Sequence, residues 1–216
     1  MNITNVRGET LKIRSTIKAT MDSKDNPIDT KLDPVLPFKG SDEIKLIIIG
    51  QDPTIKNEKQ RGKIKTTLNL DKGGSLKTYI TGICDSLGLK LESVYATNIF
   101  KYFYSNPPAN TMEVLRKQLD INLKLLLKEL ENYPKIPVVT LGEPVLQLLS
   151  NKPDDKVRSY WGYEKGENKL PLMKCTENKL RRPFYPFPHQ PSSGKKFYAE
   201  TLKEYLNFVK KDALKT

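Results

Sequence analysis

The chain has 216 residues, enough for one domain with a sizeable core and too few to require a second. Its 37 Lys and Arg outnumber 25 Asp and Glu for a formal net charge of +12, an excess that points to a polyanionic partner, nucleic acid first among them. No apolar run approaches the ~20 residues of a membrane span. No apolar segment follows the N-terminal charges as an export signal requires, and Cys84 and Cys175 are too scattered for a zinc cage, an iron–sulfur cluster or a disulfide framework. The expectation is a cytoplasmic protein, a monomer with two buried thiols and no membrane partner.

Residues 1–43 mix polar and charged residues with Pro27, Pro34 and Pro37. They read as an N-terminal arm, with one short helix or strand near Leu11–Ile17, wrapped on an α/β core of residues 44–211 within a single domain of residues 1–216. The run Ile44–Gly50 is β-branched and apolar, bounded by Gly50 and Pro53, and suits a strand buried on both faces of a parallel sheet. A long basic loop follows, Thr54 to Gly74, interrupted by a short extended segment at Thr66–Leu70. Ser75 begins a helix with Leu76, Ile80, Ile83, Cys84 and Leu87 at helical spacing and Gly88 placed to end it. Val94–Asn98 reads as a second buried strand, and Tyr102-Phe103-Tyr104 in the next loop reads as packing.

Asn110 and Glu113 have the spacing of a capping box, and Leu115, Leu119, Leu123, Leu126 and Leu130 form one face of a helix ending near Tyr133. Ile136–Leu141 is the third strand, and Glu143-Pro144 opens a short helix through Leu149. Residues 151–170 form a charged loop with the only tryptophan, Trp161. Leu172–Cys175 reads as extended, Arg182–Pro188 as an edge strand, and Lys195–Lys211 as a last helix with Tyr198, Leu202, Tyr205, Leu206 and Val209 inward. Strands alternating with helices predict a doubly wound fold, a three-layer α/β/α sandwich about a mostly parallel four-stranded sheet.

In such a sheet the carboxyl ends of the strands share one edge, where open α/β sheets place their sites. Gln51-Asp52, Asn98, Gly142 and His189 all fall there, so a carboxylate, a carboxamide and an imidazole can meet although remote in the chain. Each has a plainer explanation: Asp52 as the cap of a turn amide, Asn98 as a strand-end cap, His189 as a loop organiser, Ser192-Ser193-Gly194 as the cap of the last helix. The set shows no paired nucleophile, no Walker-type phosphate loop and no cluster of metal ligands.

The ordered set resembles the uracil-DNA glycosylase superfamily, most closely the family whose first motif begins Gly-Gln-Asp-Pro. Leu36-Pro37-Phe38 followed by Ile44 to Pro53 is similar to that family's first strand and water-activating loop. Gly74-Ser75-Leu76-Lys77-Thr78-Tyr79 resembles its serine-led helix start, and Val94-Tyr95-Ala96-Thr97-Asn98 its strand ending in a uracil-reading Asn. Pro137 to Gly142 resembles the third strand, and Pro188-His189-Gln190-Pro191-Ser192-Ser193 the His-Pro-Ser loop; together the likeness spans about residues 34 to 209. It implies hydrolysis of the N-glycosidic bond of uracil or a related damaged base, in single- or double-stranded DNA, with no cofactor and no metal. Asp52 would hold a water against the anomeric carbon, and neutral His189 would donate to the 2-oxo oxygen of the leaving base. Asn98 would read the 4-oxo and imide edge, the backbone amides of Gln51 and Asp52 would complete the pocket, and Leu68 would stand where the family stacks an aromatic. Ser75, Ser192, Ser193 and Lys195 would hold phosphates.

The sequence departs from the family at Thr54-Ile55, where Tyr-His is usual and the Tyr bars thymine's methyl group. It departs at Leu68, and at Gln190, which splits the His-Pro pair. The leucine wedge that fills the vacated base stack is missing, with Phe184, Phe187 and Phe197 the available substitutes. Three functions therefore compete: a glycosylase, favoured by Asp52, Asn98 and His189; a nucleic-acid binder of the same fold with feeble excision, favoured by the altered pocket residues; and, third, a small-molecule hydrolase.

Overall fold

The computed structural model describes residues 3–161 and 172–214. Its chain order is α1 (Ile3–Thr20), β1 (Ile28–Asp29), β2 (Phe38–Lys39), β3 (Leu46–Gly50), α2 (Glu58–Arg61), α3 (Ser75–Leu87), β4 (Val94–Asn98), β5 (Phe103–Tyr104), α4 (Met112–Leu130), β6 (Val138–Leu141), α5 (Glu143–Leu149), α6 (Val157–Tyr160), β7 (Tyr185–Phe187), α7 (Gln190–Ser193) and α8 (Lys196–Ala213). Among the described residues no helix is long and apolar enough to cross a membrane.

Leu46, Ile47, Ile48 and Ile49 have no exposed surface, as the unbroken apolar run requires of a strand covered on both faces. Burying each is worth roughly 1.5–3 kcal/mol, which fixes β3 in the middle of the sheet. The order is β2-β4-β3-β6-β7. The four expected strands, β4, β3, β6 and β7, run parallel. The sheet has a fifth strand that the sequence reading did not include, because β2 is only two residues long; it lies antiparallel to β4 through Phe38↔Ala96 and Lys39↔Tyr95. A separate two-stranded ribbon joins β1 to β5. Helices cover both faces: α1 packs on α4 and α4 on α5, while α3 packs on α8. This is the three-layer α/β/α arrangement.

Several local expectations change. The N-terminal arm begins as a full helix, α1, whose Val6, Thr10, Ile13 and Ile17 are buried at helical spacing. Thr66–Leu70 is not extended: Thr67–Asn69 is a 3-10 turn, and only Thr66 forms a bridge, to Leu36. Pro108–Asn110 also turns as a 3-10 helix, so α4 opens from Thr111 without a side-chain cap and Glu113 pairs with Lys117 at 2.9 Å. Leu172–Cys175 contributes only a bridge from Met173 to Phe184. Cys84 is buried, its thiol pushed up to about 12 by desolvation, but Cys175 is exposed. Tyr102, Phe103 and Tyr104 are buried packing. Of the charged loop 151–170, residues 162–170 lie outside the described residues; Trp161 is buried, stacked on Tyr205 at 4.5 Å with its Nε1 donating to the Pro186 carbonyl at 2.8 Å.

Candidate active site

Gly50 ends β3 opposite Asn98, its partner in the parallel ladder. A Cβ on Gly50 would stand 2.4 Å from Asn98 Oδ1 and 3.1 Å from Leu68 Cδ2. The glycine is therefore what lets the carboxamide lie across the end of β3, with Leu68 against it. Asn98 is 1 % exposed, and its Oδ1 accepts no hydrogen bond among the described residues. A buried acceptor left this way costs about 1–3 kcal/mol, so Asn98 is not the strand-end cap of the plainer reading. Leu68 and Asn69 both sit at positive φ, +58° and +53°. A leucine there carries strain of about 1–3 kcal/mol.

The backbone keeps β3 and β4 together beyond the ladder: Ile99 N donates to Gly50 O and Phe100 N to Gln51 O, both at 2.9 Å. Gln51 Nε2 is buried without an acceptor among the described residues. Asp52 is half-buried, and its Oδ1 accepts the Thr54 amide at 2.7 Å, the turn bond that the plainer reading predicts. Burial pushes this carboxyl up to about 6, against the bonds from Thr54 and the positive field of Arg61, which pull it down. Thr54 Oγ1 accepts from Tyr104 N at 2.9 Å. Arg61 is 3 % exposed and donates to the carbonyls of Ile55 (2.8 Å), Tyr104 (3.3 Å) and Ser105 (3.0 Å), so it clamps the loop that carries Asp52.

His189 lies just beyond β7 and precedes α7, where its carbonyl accepts from Ser192 N at 2.8 Å and Ser193 N at 3.2 Å. Its Cβ is 3.4 Å from where a Cβ on Gly142 would stand, and Gly142, at φ +92°, carries none. The main chain of His189 orders the loop; its imidazole makes no hydrogen bond among the described residues. More than a third of the residue is exposed, yet the protein packed around it lowers its pKa by desolvation and keeps the ring neutral at pH 7. No hydrogen bond or ion pair joins Asp52 to His189. One strand, β6, separates β3 from β7, so their backbone ends are about 10 Å apart, two strand spacings, with the end of β6 between them.

Ser75 is exposed at the start of α3, and Tyr79 ties that helix to the His189 loop by donating to the Pro188 carbonyl at 3.0 Å. Ser193 Oγ donates to Gln190 O at 2.7 Å. Lys195, exposed, is the residue that precedes α8, so Ser192 and Ser193 belong to their own turn and do not cap that helix. Phe184 and Phe187 are fully buried, which removes both as a wedge, while Phe197 is only partly buried, with the Arg158 guanidinium 4.7 Å from its ring centre. A cavity of about 460 Å³ is lined by Asp25, Asn26, Lys56, Arg61, Asn106, Pro107 and Thr111; Asp52, Asn98 and His189 are not on its wall. The sequence reading missed the clamp of Arg61 and a buried pair, Lys101 and Glu129, behind Asn98. The one available sign was Glu129, which falls on the apolar stripe of α4 between Leu126 and Leu130.

A mostly parallel sheet with a carboxylate, a carboxamide and an imidazole at its carboxyl edge presents them where the doubly wound class places its ligands. The comparison with protein families narrows it: the model described as Uracil DNA glycosylase superfamily matches residues 37–206, and the chain belongs to that superfamily. Membership carries a DNA glycosylase-like function in general terms, with DNA as what the protein acts on. No curated protein matches the chain.

Proposed function

We propose that the protein hydrolyses the N-glycosidic bond of uracil, or of a related damaged base, in DNA. The observation that carries this reading is the buried, donor-less Oδ1 of Asn98 at the carboxyl edge of the sheet. Uracil presents an N3–H donor beside its O4 acceptor; Asn98 would accept from N3–H with Oδ1 and donate to O4 with Nδ2. Cytosine reverses both groups and would leave two clashing dipoles.

Bond cleavage builds positive charge on the sugar and negative charge on the departing base. Asp52 acts as the carboxylate that orients water on the anomeric carbon and stabilises the cationic sugar. As the C1′–N1 bond breaks, its electron pair stays on N1, and neutral His189 donates to O2 of the uracil anion. Water oxygen bonds C1′, and its proton passes to Asp52 and on to solvent. Gln51 and the Asp52 backbone amide complete the pocket, and Leu68 covers one face of the base. Ser75, Ser192, Ser193 and Lys195 hold the strand by its phosphates, within the attraction of a surface carrying net charge +12.

Thr54 and Leu68, in place of the family's two aromatic pocket residues, favour a second reading: a nucleic-acid binder with little excision. A panel of end-labelled oligonucleotides containing uracil, hydroxymethyluracil or hypoxanthine separates the two. Abasic sites on at least one substrate support the enzyme; salt-sensitive binding without cleavage on all of them supports the binder.

A further inference from the structure

Asn98 has a second polar assembly beneath it. Tyr95 and Thr97 of β4 face α4, where both hydroxyls donate to Glu129 Oε2 at 2.9 Å. Glu129 Oε1 lies 2.6 Å from Lys101 Nζ, and the same ammonium donates at 2.8 Å to the main-chain oxygen of Asn98. Both side chains of the pair are 1 % exposed. Lys101 is further fixed from outside, its carbonyl accepting from Val35 N at 2.7 Å.

Taking two charges out of water costs several kcal/mol each, and apolar replacements of such pairs are often neutral or stabilising. Stability is therefore a poor explanation for placing a lysine and a glutamate here. What the pair holds is the peptide of Asn98. Successive residues of a strand face opposite ways, so Tyr95 and Thr97 are gripped on the α4 side while the Asn98 carboxamide emerges on the other, against Gly50. Clamping the Asn98 carbonyl fixes the direction of its Cα–Cβ bond, and with it the angle of a side chain whose Oδ1 has no partner among the described residues.

We propose that Lys101 and Glu129 are positioning residues that set the angle of the Asn98 carboxamide and thereby its discrimination between the uracil and cytosine edges. This rests on the base-reading role proposed above for Asn98. The pair acts through Asn98 and touches no reacting atom.

The test uses the full chain with Lys101→Met/Glu129→Leu, and separately Thr97→Val. The double variant is expected to melt lower than wild type, because the Tyr95 and Thr97 hydroxyls and the Asn98 carbonyl lose their partners, yet to stay folded and keep wild-type affinity for an abasic-site duplex. Its single-turnover uracil excision falls about 10–100-fold, the usual penalty for a displaced positioning group, and its preference for uracil over cytosine narrows. In ¹⁵N spectra of the free protein the Asn98 side-chain amide shifts and broadens in both variants. A folded double variant with wild-type excision and an unmoved Asn98 resonance overturns the proposal. If the double variant does not fold, Thr97→Val decides alone: unchanged excision and an unchanged Asn98 resonance overturn it. If wild type excises no base at all, the proposed function fails while the Asn98 resonance still decides whether the pair positions it.

Discussion

Replacing Asp52 by asparagine should strengthen the fold while removing the chemistry. The Asp52 carboxyl titrates at about 6 in the folded chain against an ordinary 3.8. At about 1.36 kcal/mol per pH unit that gap is a ceiling of about 3 kcal/mol, and because the side chain is only half-buried, solvent screening reduces it to about 1–2 kcal/mol. The folded state holds this proton more tightly than the unfolded chain. The charged carboxylate therefore opposes folding fully above about 6, less as pH falls from about 6 to 3.8, and not at all below. Asparagine keeps the acceptor for the Thr54 amide, now at 2.7 Å, and carries no charge. Urea unfolding of both proteins should show Asp52→Asn more stable by about 1–2 kcal/mol near pH 8, a Tm rise of about 2–8 °C, with the gap closed by about pH 3.5. An asparagine variant less stable than wild type near pH 8, or a gap that does not shrink in acid, would refute the reasoning. Uracil excision by the variant should be lost throughout.

The pH dependence of kcat/KM on a uracil oligonucleotide should be a single ascending limb through about 6, where Asp52 ionises. Desolvation lowers the His189 pKa, so the neutral ring its role requires also forms on the ascending side, and a falling limb near neutral pH would contradict its role as a neutral donor. Gly50→Ala drives a methyl to within 2.4 Å of Asn98 Oδ1; it should cost about 1–3 kcal/mol in chemical denaturation and remove uracil excision with the fold intact by circular dichroism. Tyr205 has a buried hydroxyl without a partner among the described residues, so Tyr205→Phe, which keeps the ring stacked on Trp161, should raise stability by about 1 kcal/mol, measured by urea unfolding.

The parts of the fold legible in the sequence are those whose burial is complete. Leu46–Ile49 could only be a central strand, and the leucine stripe from Leu115 to Leu130 could only be a helix face. Once those strands are parallel, the grouping of Gln51-Asp52, Asn98 and His189 at one edge follows from topology. The illegible parts are those where polar residues are buried or elements are short. The inward stripe of α1 includes Thr10, whose hydroxyl is satisfied by the Val6 carbonyl at 2.8 Å, and its other faces are charged, so no sustained period shows. The Asn110–Glu113 spacing imitates a cap because sequence does not reveal that Pro107-Pro108 starts a 3-10 turn ahead of it. Lys101 and Arg61 look like two more cations among 37; only the carbonyls that converge on them distinguish them from surface charge. Leu68 was legible as a pocket candidate through the family resemblance, whereas its left-handed backbone was not, since nothing local favours a leucine there.

The most direct measurement is a crystal structure of the protein with a duplex containing a single 2′-fluoro-deoxyuridine, whose fluorine slows cleavage by destabilising positive charge on the sugar. The base should be out of the stack between Leu68 and the end of β7, with N3–H on Asn98 Oδ1, His189 at O2 and a water between Asp52 and the anomeric carbon. A uridine still stacked in the duplex, or an extruded base with Asn98 still unpartnered against Gly50, would contradict the account.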